Sequence, residues 1–229
     1  LHLSIRRQRP DVYKRQPPGM PLRLSYTSVS DYQRCPRCWY AKHVLRLPEP
    51  ESKETMVGQA THSALERFYR AWTVADAEGL LRPGLAELLR MGRDCLVQLA
   101  GMRSEGLEEQ LAQIHAQLRT YFETMHDANA HILEVEWNVS FPITIGARTH
   151  EVVAKIDRLD QLPDGGFRVV DYKTGKPWKK LTSPGKDDLQ LGMYCLALRA
   201  EQGVAEGEGL VGGAEYWCCL LYTSDAADE

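Results

Sequence analysis

The chain has 229 residues, of which 43 % are hydrophobic and 26 % are charged, so it can bury a core and lacks the composition of a disordered segment. The net charge of −3 excludes a uniformly basic nucleic-acid coat, although a local basic groove stays compatible with it. No run approaches the roughly 18 apolar residues that a membrane span needs, so we predict neither a transmembrane segment nor a membrane partner.

Both ends of the chain resemble translated sequencing-library adaptor. The DNA GATGTGTATAAGAGACAG translates as DVYKRQ, the sequence of residues 11–16, and its reverse complement, read one base in, gives CLLYTS, the sequence of residues 219–224. One duplex read from opposite strands explains both ends, whereas the alternative requires two unrelated native tails. We predict that residues 1–16 and 219–229 are not native. Residues 17–218 are then a single domain that is truncated at its C-terminal end.

Helical periodicity dominates the first half of the native segment. Hydroxyl and acidic side chains between Thr27 and Asp31 suit a helix N-terminus. Apolar residues recur at three- and four-residue spacing from Leu107 to Met125, which is typical of a helix with one buried face. We predict helices over 25–44, 55–72, 83–100 and 105–128, with a polar linker at 48–54.

The pattern changes to alternation in the second half, which predicts strands. We predict strands over 131–142, 151–161 and 167–172, then a helix over 187–202 and a last strand over 208–218. The segment Pro163-Asp164-Gly165-Gly166 is a tight-turn sequence between two of these strands. The order of elements indicates one α/β domain with a helical N-terminal half.

Two carboxylates and a lysine lie at the ends of two predicted neighbouring strands. Asp171 and Lys173 are two residues apart, so they project from the same face of a strand, and the hairpin can bring Asp157 beside them. Carboxylate oxygens are ligands that Mg²⁺ prefers, and a nearby ammonium can stabilise charge on a phosphoryl oxygen. Asp-x-Lys alone is a weak signal, and its alternative is a solvated ion pair of about 0–1 kcal/mol.

Further motifs strengthen the functional interpretation. His62 follows Gly58 by four residues and precedes Glu66 by four, so His62 and Glu66 share a helix face. Gln190 and Tyr194 are spaced in the same way after the hairpin. With CPRCWY, KIDRLD, VVDYKTGK and QLGMY in this order, residues 25–200 resemble the RecB-like branch of the PD-(D/E)XK nuclease superfamily. That branch includes nuclease domains of bacterial recombination helicase-nucleases and CRISPR-adaptation nucleases.

The resemblance implies a restriction-endonuclease-like core, in which helices flank a mixed central β-sheet. It implies that His62, Asp157 and Asp171 bind Mg²⁺ or Mn²⁺ together with the main-chain carbonyl of Tyr172, and that Lys173 is catalytic beside the two aspartates. The expected activity is metal-dependent hydrolysis of DNA, as an exonuclease on ends or single strands. The expected setting is repair, recombination or phage DNA processing, with a helicase or recombination partner.

Several further residues receive narrower interpretations. Gln190 and Tyr194 match a family motif expected near the metal site or the DNA backbone. Arg158 and Lys176 lie near the acidic motifs and are interpreted as phosphate-binding residues, the alternative being solvated surface charges. Glu66 either supports the metal ligands or is a solvent-facing helical acid.

The cysteines favour a reducing compartment, and they leave open whether the protein binds an iron–sulfur cluster or zinc. Six cysteines without a recognisable signal peptide favour a reducing compartment, so we expect a cytoplasmic protein, encoded by a bacterium or phage. Cys35 and Cys38 form one C-x-x-C pair, whereas structural zinc sites need four ligands. Some RecB-like nucleases hold a 4Fe–4S cluster whose first ligand matches Cys35. The alternatives are zinc or reduced thiols.

Two other functions compete with the nuclease hypothesis. The domain could be a non-catalytic DNA-binding or docking module of a larger helicase-nuclease, in which case loss of Lys173 would leave DNA processing intact. It could also be a structural domain held by a metal at Cys35 and Cys38, in which case a chelator would lower its thermal stability.

Overall fold

The computed structural model describes residues 21–48, 53–101, 106–175, 188–202 and 212–219. The strands are β1 (Arg23–Leu24), β2 (His131–Ile145), β3 (Arg148–Gln161), β4 (Phe167–Lys173) and β5 (Gly212–Cys218). The helices are α1 (Tyr26–Arg34), α2 (Pro36–Trp39), α3 (Lys53–Glu78), α4 (Leu85–Ala100), α5 (Leu107–Thr124) and α6 (Leu189–Gln202), with a π-helical turn over Tyr40–Val44.

Strand β3 is the centre of a mixed sheet. Antiparallel β2 pairs with β3 along one edge, from Ile145 opposite Arg148 to the far ends of both strands. The other edge is shared, because parallel β1 pairs with β3 at Glu151–Val152 whereas antiparallel β4 pairs with it at 158–161. Strand β5 continues the sheet parallel to β4. Residues 153–157 of β3 therefore lie between the two pairings, and a cleft opens there.

Two hydrophobic cores cover the two faces of the sheet. Helices α3, α4 and α5 pack on one face around the buried side chains of Phe68, Leu118 and Tyr172. Helices α1 and α6 cover the other face, where Ile156 and Leu198 are buried. In each core, amphipathic helices bury their apolar stripes against one face of the sheet.

The alternation of side chains changes face in the middle of the β2–β3 hairpin. Residues two apart on a regular strand share a face, yet Val135 packs into the core under α3 whereas Trp137 packs into the core under α6. On β3, Ile156 belongs to the α6 side, while Arg158 lies over the ring of Tyr69 on the α3 side. The switch falls at residues 136 and 157, which face each other between these pairs.

The structure confirms the predicted α/β class, with helices flanking a mixed central sheet. Helix α3 runs from Lys53 to Glu78, longer at both ends than the predicted 55–72. The two-residue strand β1 was not predicted, because Arg23–Leu24 is too short to alternate. Cys219 is buried in the core under α3, and the predicted domain boundary at 218 stays a prediction. Within the described ranges, no helix combines the length and apolar character of a membrane span.

Two helix-interior glycines differ in the room around them. At Gly92, on α4, a Cβ atom would lie 2.6 Å from Leu118 Cδ1 and 3.0 Å from Ile114 Cγ2, whereas at Gly192, on α6, it would meet nothing within 4 Å. We expect Gly92→Ala to lower the free energy of unfolding by about 1–3 kcal/mol through overpacking. We expect Gly192→Ala to raise it by about 0.5–1 kcal/mol through helix propensity. Urea unfolding measures both, and equal effects would contradict the packing of α4 on α5.

Candidate active site

A cleft of about 450 Å³ opens where β4 separates from β3. Strands β3 and β4 contribute Asp157, Asp171 and Lys173 to its lining, α3 contributes His62, and α6 contributes Gln190. The structure thus brings together five of the residues that the sequence analysis proposed for the site, from four separate elements.

Three potential metal ligands converge on one side of this cleft. Each of His62, Glu136 and Asp157 offers one ligand atom, and these atoms all lie within 4.8 Å of one another. His62 Nδ1 is 3.5 Å from Asp157 Oδ2. Burial alone would lower the pKa of His62, but the hydrogen bond to Asp157 and the surrounding carboxylates outweigh it, so this pKa is raised above its usual value.

Glu136 is a site residue that the sequence analysis missed. Its backbone is left-handed, with φ of 55°, a costly conformation for a residue other than glycine. Its side chain is only 9 % exposed and pairs with Lys155. A signal was available, because a two-residue turn at Gly146-Ala147 sets the hairpin register and places residue 136 opposite residue 157. That turn was not predicted.

The second aspartate lies in a dense hydrogen-bond network with α6. Asp171 Oδ1 accepts from Gln190 Nε2 and from the Tyr194 hydroxyl, each at 2.7 Å. Asp171 Oδ2 is buried and lies 2.5 Å from the Lys173 ammonium. Lys173 also donates to Gln190 Oε1 at 3.0 Å. Gln190 therefore positions both Asp171 and Lys173.

The negative charge on Asp171 is only partly compensated by its neighbours. Burial raises the pKa of this carboxyl above its usual value, and the negative charge of Asp157 adds to the rise, while Lys173 opposes it. A positive charge beside a buried carboxylate stabilises its ionised form. A divalent cation in the cleft would therefore act on Asp171 in the same direction as Lys173.

The main chain of Tyr172 faces the same cleft. Its N–H donates to Asp157 Oδ2 at 2.7 Å. In an extended strand the N–H and C=O of one residue point towards the same edge, so the Tyr172 carbonyl also faces the β3 side. Lys173, the next residue, faces the other edge, where its carbonyl accepts the N–H of Cys219. This orientation is compatible with the predicted role of the Tyr172 carbonyl as a ligand, which stays a prediction.

The interpretation of Arg158 as a phosphate-binding residue is wrong, because its side chain is fully buried. The guanidinium lies between the rings of Tyr69 and Trp217, at 4.6 and 4.4 Å from their centroids. It donates to Asp160 at 2.8 Å and to the hydroxyl of Tyr121 at 3.0 Å. Because the strand switches face beside Asp157, Arg158 points into the core under α3 and not into the cleft.

Two other predicted residues, Glu66 and Cys35, lie outside the cluster. Glu66 Oε1 accepts a hydrogen bond from Arg70 at 3.0 Å, which matches its interpretation as a helical surface acid. Lys176 lies outside the described residues. Cys35 Sγ accepts the N–H of Cys38 at 3.2 Å, and hydrogen bonding to Cys38 lowers the pKa of the Cys35 thiol.

The buried position of Arg158 predicts a stability effect. Arg158→Met removes one partner of the buried Asp160 carboxylate, so we expect the free energy of unfolding to fall by about 3 kcal/mol or more. Arg90→Met is the matched control, since Arg90 pairs with Asp94 on the exposed face of α4, and it should cost less than about 1 kcal/mol. Chemical denaturation measures both, and an Arg158→Met protein of unchanged stability would contradict this assignment.

The chemistry of the donor set suits a hard or borderline divalent cation. Two carboxylates favour Mg²⁺ or Mn²⁺, and an imidazole nitrogen is more favourable for Mn²⁺ and later transition metals. A lysine beside such a site is the arrangement that cation-assisted transfer at phosphorus uses. The donor set and the neighbouring lysine of this cleft therefore suit a divalent cation beside a phosphate group.

Comparison with known proteins identifies the family. The sequence model of the PD-(D/E)XK nuclease superfamily matches residues 23–224. This match covers most of the sequence, and the chain belongs to that superfamily.

The similar proteins include components of bacterial helicase-nucleases. The chain is 25 % identical over 162 residues to an ATP-dependent helicase/deoxyribonuclease subunit of Streptococcus pyogenes serotype M49. It is 26 % identical over 163 residues to the same subunit of serotype M6. Each match covers 69 % of this chain and 15 % of the relative, so the chain spans a small part of these proteins. A solved protein, SSO0001, aligns with 77 % of this chain and 68 % of its own at 16 % identity, with a TM-score of 0.29.

Glu136 provides a test of the cation site. We expect Glu136→Gln to weaken Mn²⁺ binding by about tenfold or more, because it replaces one of the two carboxylates among the three converging ligands by a neutral amide. Glu134→Gln makes the same chemical change on the same strand at an exposed position and should bind Mn²⁺ as the unaltered protein does. Isothermal titration calorimetry measures both affinities. Equal affinities in the two variants would contradict the placement of Glu136 in the site.

Proposed function

We propose that this protein is a divalent-cation-dependent deoxyribonuclease that hydrolyses phosphodiester bonds at DNA ends or in single strands. The observation that carries the proposal is the convergence of His62, Glu136 and Asp157 beside the Asp171–Lys173 pair in one cleft. Membership of a nuclease superfamily supports the reaction class. The names of its helicase/deoxyribonuclease relatives favour DNA as the substrate.

The residues of the cleft have two roles in this proposal, cation binding and stabilisation of the phosphate. His62, Glu136 and Asp157 would hold Mg²⁺ or Mn²⁺, with Asp171 and the Tyr172 carbonyl at the adjoining strand end. The chemistry that such a cation supplies when bound is polarisation of a phosphoryl oxygen and acidification of water. Lys173 holds a proton at Nζ and can donate it in a hydrogen bond to an oxygen on the phosphorus.

Gln190 and Tyr194 keep this machinery aligned. The two side chains are hydrogen-bonded to each other at 2.8 Å and both bind Asp171. Gln190 also accepts from Lys173, so a shift of α6 would move the acid and the lysine together. We therefore assign Gln190 and Tyr194 a positioning role at the catalytic cleft, in place of the direct DNA contact that the sequence left open.

The biological setting is proposed from the relatives. Similarity to a helicase-nuclease component suggests DNA repair or recombination, with a helicase as partner, and phage DNA processing fits the same chemistry. Cys35, Cys38, Cys95 and Cys195 are free thiols, which favours the reducing cytoplasm. Cys35 is available as one ligand of an iron–sulfur cluster, whose other ligands would have to come from outside the described residues.

Lys173 provides the decisive test of the activity. Full-length protein is incubated with labelled single- and double-stranded DNA in Mg²⁺, Mn²⁺ or EDTA. We expect cation-dependent cutting, and we expect Lys173→Ala to lower kcat/KM by about a hundredfold or more, because it removes the fixed charge beside the reacting phosphate. The length of the first products distinguishes exonuclease from endonuclease action.

Two comparisons make this test specific. Arg90→Ala removes an exposed charge on α4 and should cut DNA at the normal rate. If the unaltered protein binds DNA but cuts none with either cation, the deoxyribonuclease proposal fails and a docking role is favoured. Cutting that persists in Lys173→Ala would overturn the assignment of Lys173.

A further inference from the structure

We infer that a second, larger groove beside the catalytic cleft binds single-stranded DNA by base stacking and directs it to the cleavage site. The groove has a volume of about 990 Å³, and we call it the aromatic groove. Its characteristic side chains are Tyr32, Trp39 and His43 with Arg23 and Arg46. This inference rests on the proposed function, because it names the form of DNA that the same site receives.

The aromatic groove and the catalytic cleft are continuous. Ser25, Val153, Ala154 and Lys155 line both of them, so residues of β3 form a floor that the two share. Lys155 stands at the junction, where its ammonium pairs with Glu136 of the cation cluster. A strand lying in the groove therefore meets the cation ligands without crossing another element of the described structure.

The aromatic side chains form a platform of fixed orientation. The rings of Tyr32 and Trp39 are 5.3 Å apart edge-to-face, and those of Trp39 and His43 are 6.0 Å apart and stacked. Trp39 Nε1 donates to Ser28 Oγ at 2.8 Å, and His43 is held by Asp31 at 3.0 Å. These bonds order the rings before any ligand arrives, which lowers the entropic cost of binding.

Tyr32 is the outermost part of this platform. It is 53 % exposed, the highest value for an aromatic side chain in the described part of the chain. Exposed aromatic rings beside a charged groove are the stacking elements of proteins that bind single strands. In a duplex the base faces are covered by their neighbours, so stacking on Tyr32 requires unpaired bases.

The charge of the aromatic groove is opposite to that of the cleft. Arg23, Arg46 and Lys155 line it, and among the described residues no aspartate or glutamate does. Arg23 pairs with Glu151 at 3.3 Å and Lys155 pairs with Glu136, and both basic side chains are largely exposed. A local basic surface on a chain of net charge −3 attracts a phosphate backbone, whereas the cleft offers carboxylates for a cation.

Binding without catalysis is the first arm of the test. A fluorescein-labelled oligothymidylate of about 12 nucleotides, within the site sizes known for such surfaces, is titrated with the full chain in EDTA and followed by anisotropy. We expect Tyr32→Ala to weaken binding about tenfold and Tyr32→Phe to leave it nearly unchanged, because only the ring is needed. Arg46→Gln should reduce the slope of log affinity against log salt by about 0.7, and Arg90→Gln should not.

Cleavage is the second arm and separates this inference from the proposed function. Bis(p-nitrophenyl) phosphate needs only the cleft, so Tyr32→Ala should hydrolyse it at the normal rate while cutting the oligothymidylate about tenfold less efficiently. If the unaltered protein binds the oligonucleotide through Tyr32 but cuts neither substrate, the nuclease proposal fails and the groove assignment stands. Equal oligonucleotide binding by all variants overturns the groove assignment and favours a protein as the occupant. Stronger binding to the duplex form overturns stacking of unpaired bases and favours duplex DNA.

Discussion

The separation of β4 from β3, bridged by one hydrogen bond, is the feature on which the rest of the site depends. Two strands that stayed paired to their ends would close the cleft with backbone hydrogen bonds. Here the Asp157 carboxylate takes the place of a backbone carbonyl and accepts the N–H of Tyr172. The bond keeps a buried donor satisfied while it holds a charged oxygen at the sheet edge. The same oxygen faces His62 on α3, so helix and sheet are aligned by a group that can also bind a cation.

The sheet keeps two sets of charges apart because its strands switch face at this point. On one side, Arg158, Asp160 and Arg168 form a buried ionic cluster enclosed by aromatic rings. On the other side, Asp171 and Lys173 face α6. A buried ion pair adds little net stability compared with apolar packing. The main effect of the Arg158 cluster is therefore on the course of the β3 backbone. By drawing residue 158 into the α3 core, the cluster leaves Asp157 at the edge of the cleft. The left-handed backbone of Glu136 on the facing strand belongs to the same local twist.

Sequence patterns predicted the elements better than they predicted their faces. The helices, the three consecutive strands and the fold class follow from periodicity, and Asp157, Asp171, Lys173 and His62 follow from spacing and resemblance. Glu136 was missed because the turn at Gly146-Ala147, which sets the hairpin register, was not predicted. Arg158 was misjudged because its charge and its place beside the acidic motifs suggested a phosphate contact, whereas its side chain enters the core under α3 beyond the switch at residues 136 and 157. No local residue pattern marks this switch, because it results from the packing of two cores on one hairpin. Strand β1 was missed for another reason, since two residues are too few to show an alternating pattern.

The N-terminal segment completes the site in a way that its composition does not reveal. Strand β1 pairs with β3 only at residues 151–152, and this short pairing leaves residues 153–155 to line both the groove and the cleft. Asp31, a buried residue of α1, pairs with Arg34, Lys42 and His43. These partners lower the pKa of its carboxyl, the hydrogen bond from His43 most of all. One acidic side chain thus ties α1, which carries Tyr32, to the π-helical turn, which carries His43, and Asp31 itself does not line the groove. The carboxylates of the cleft and the basic, aromatic surface beside it therefore meet along one strand, β3, whose Lys155 lines both.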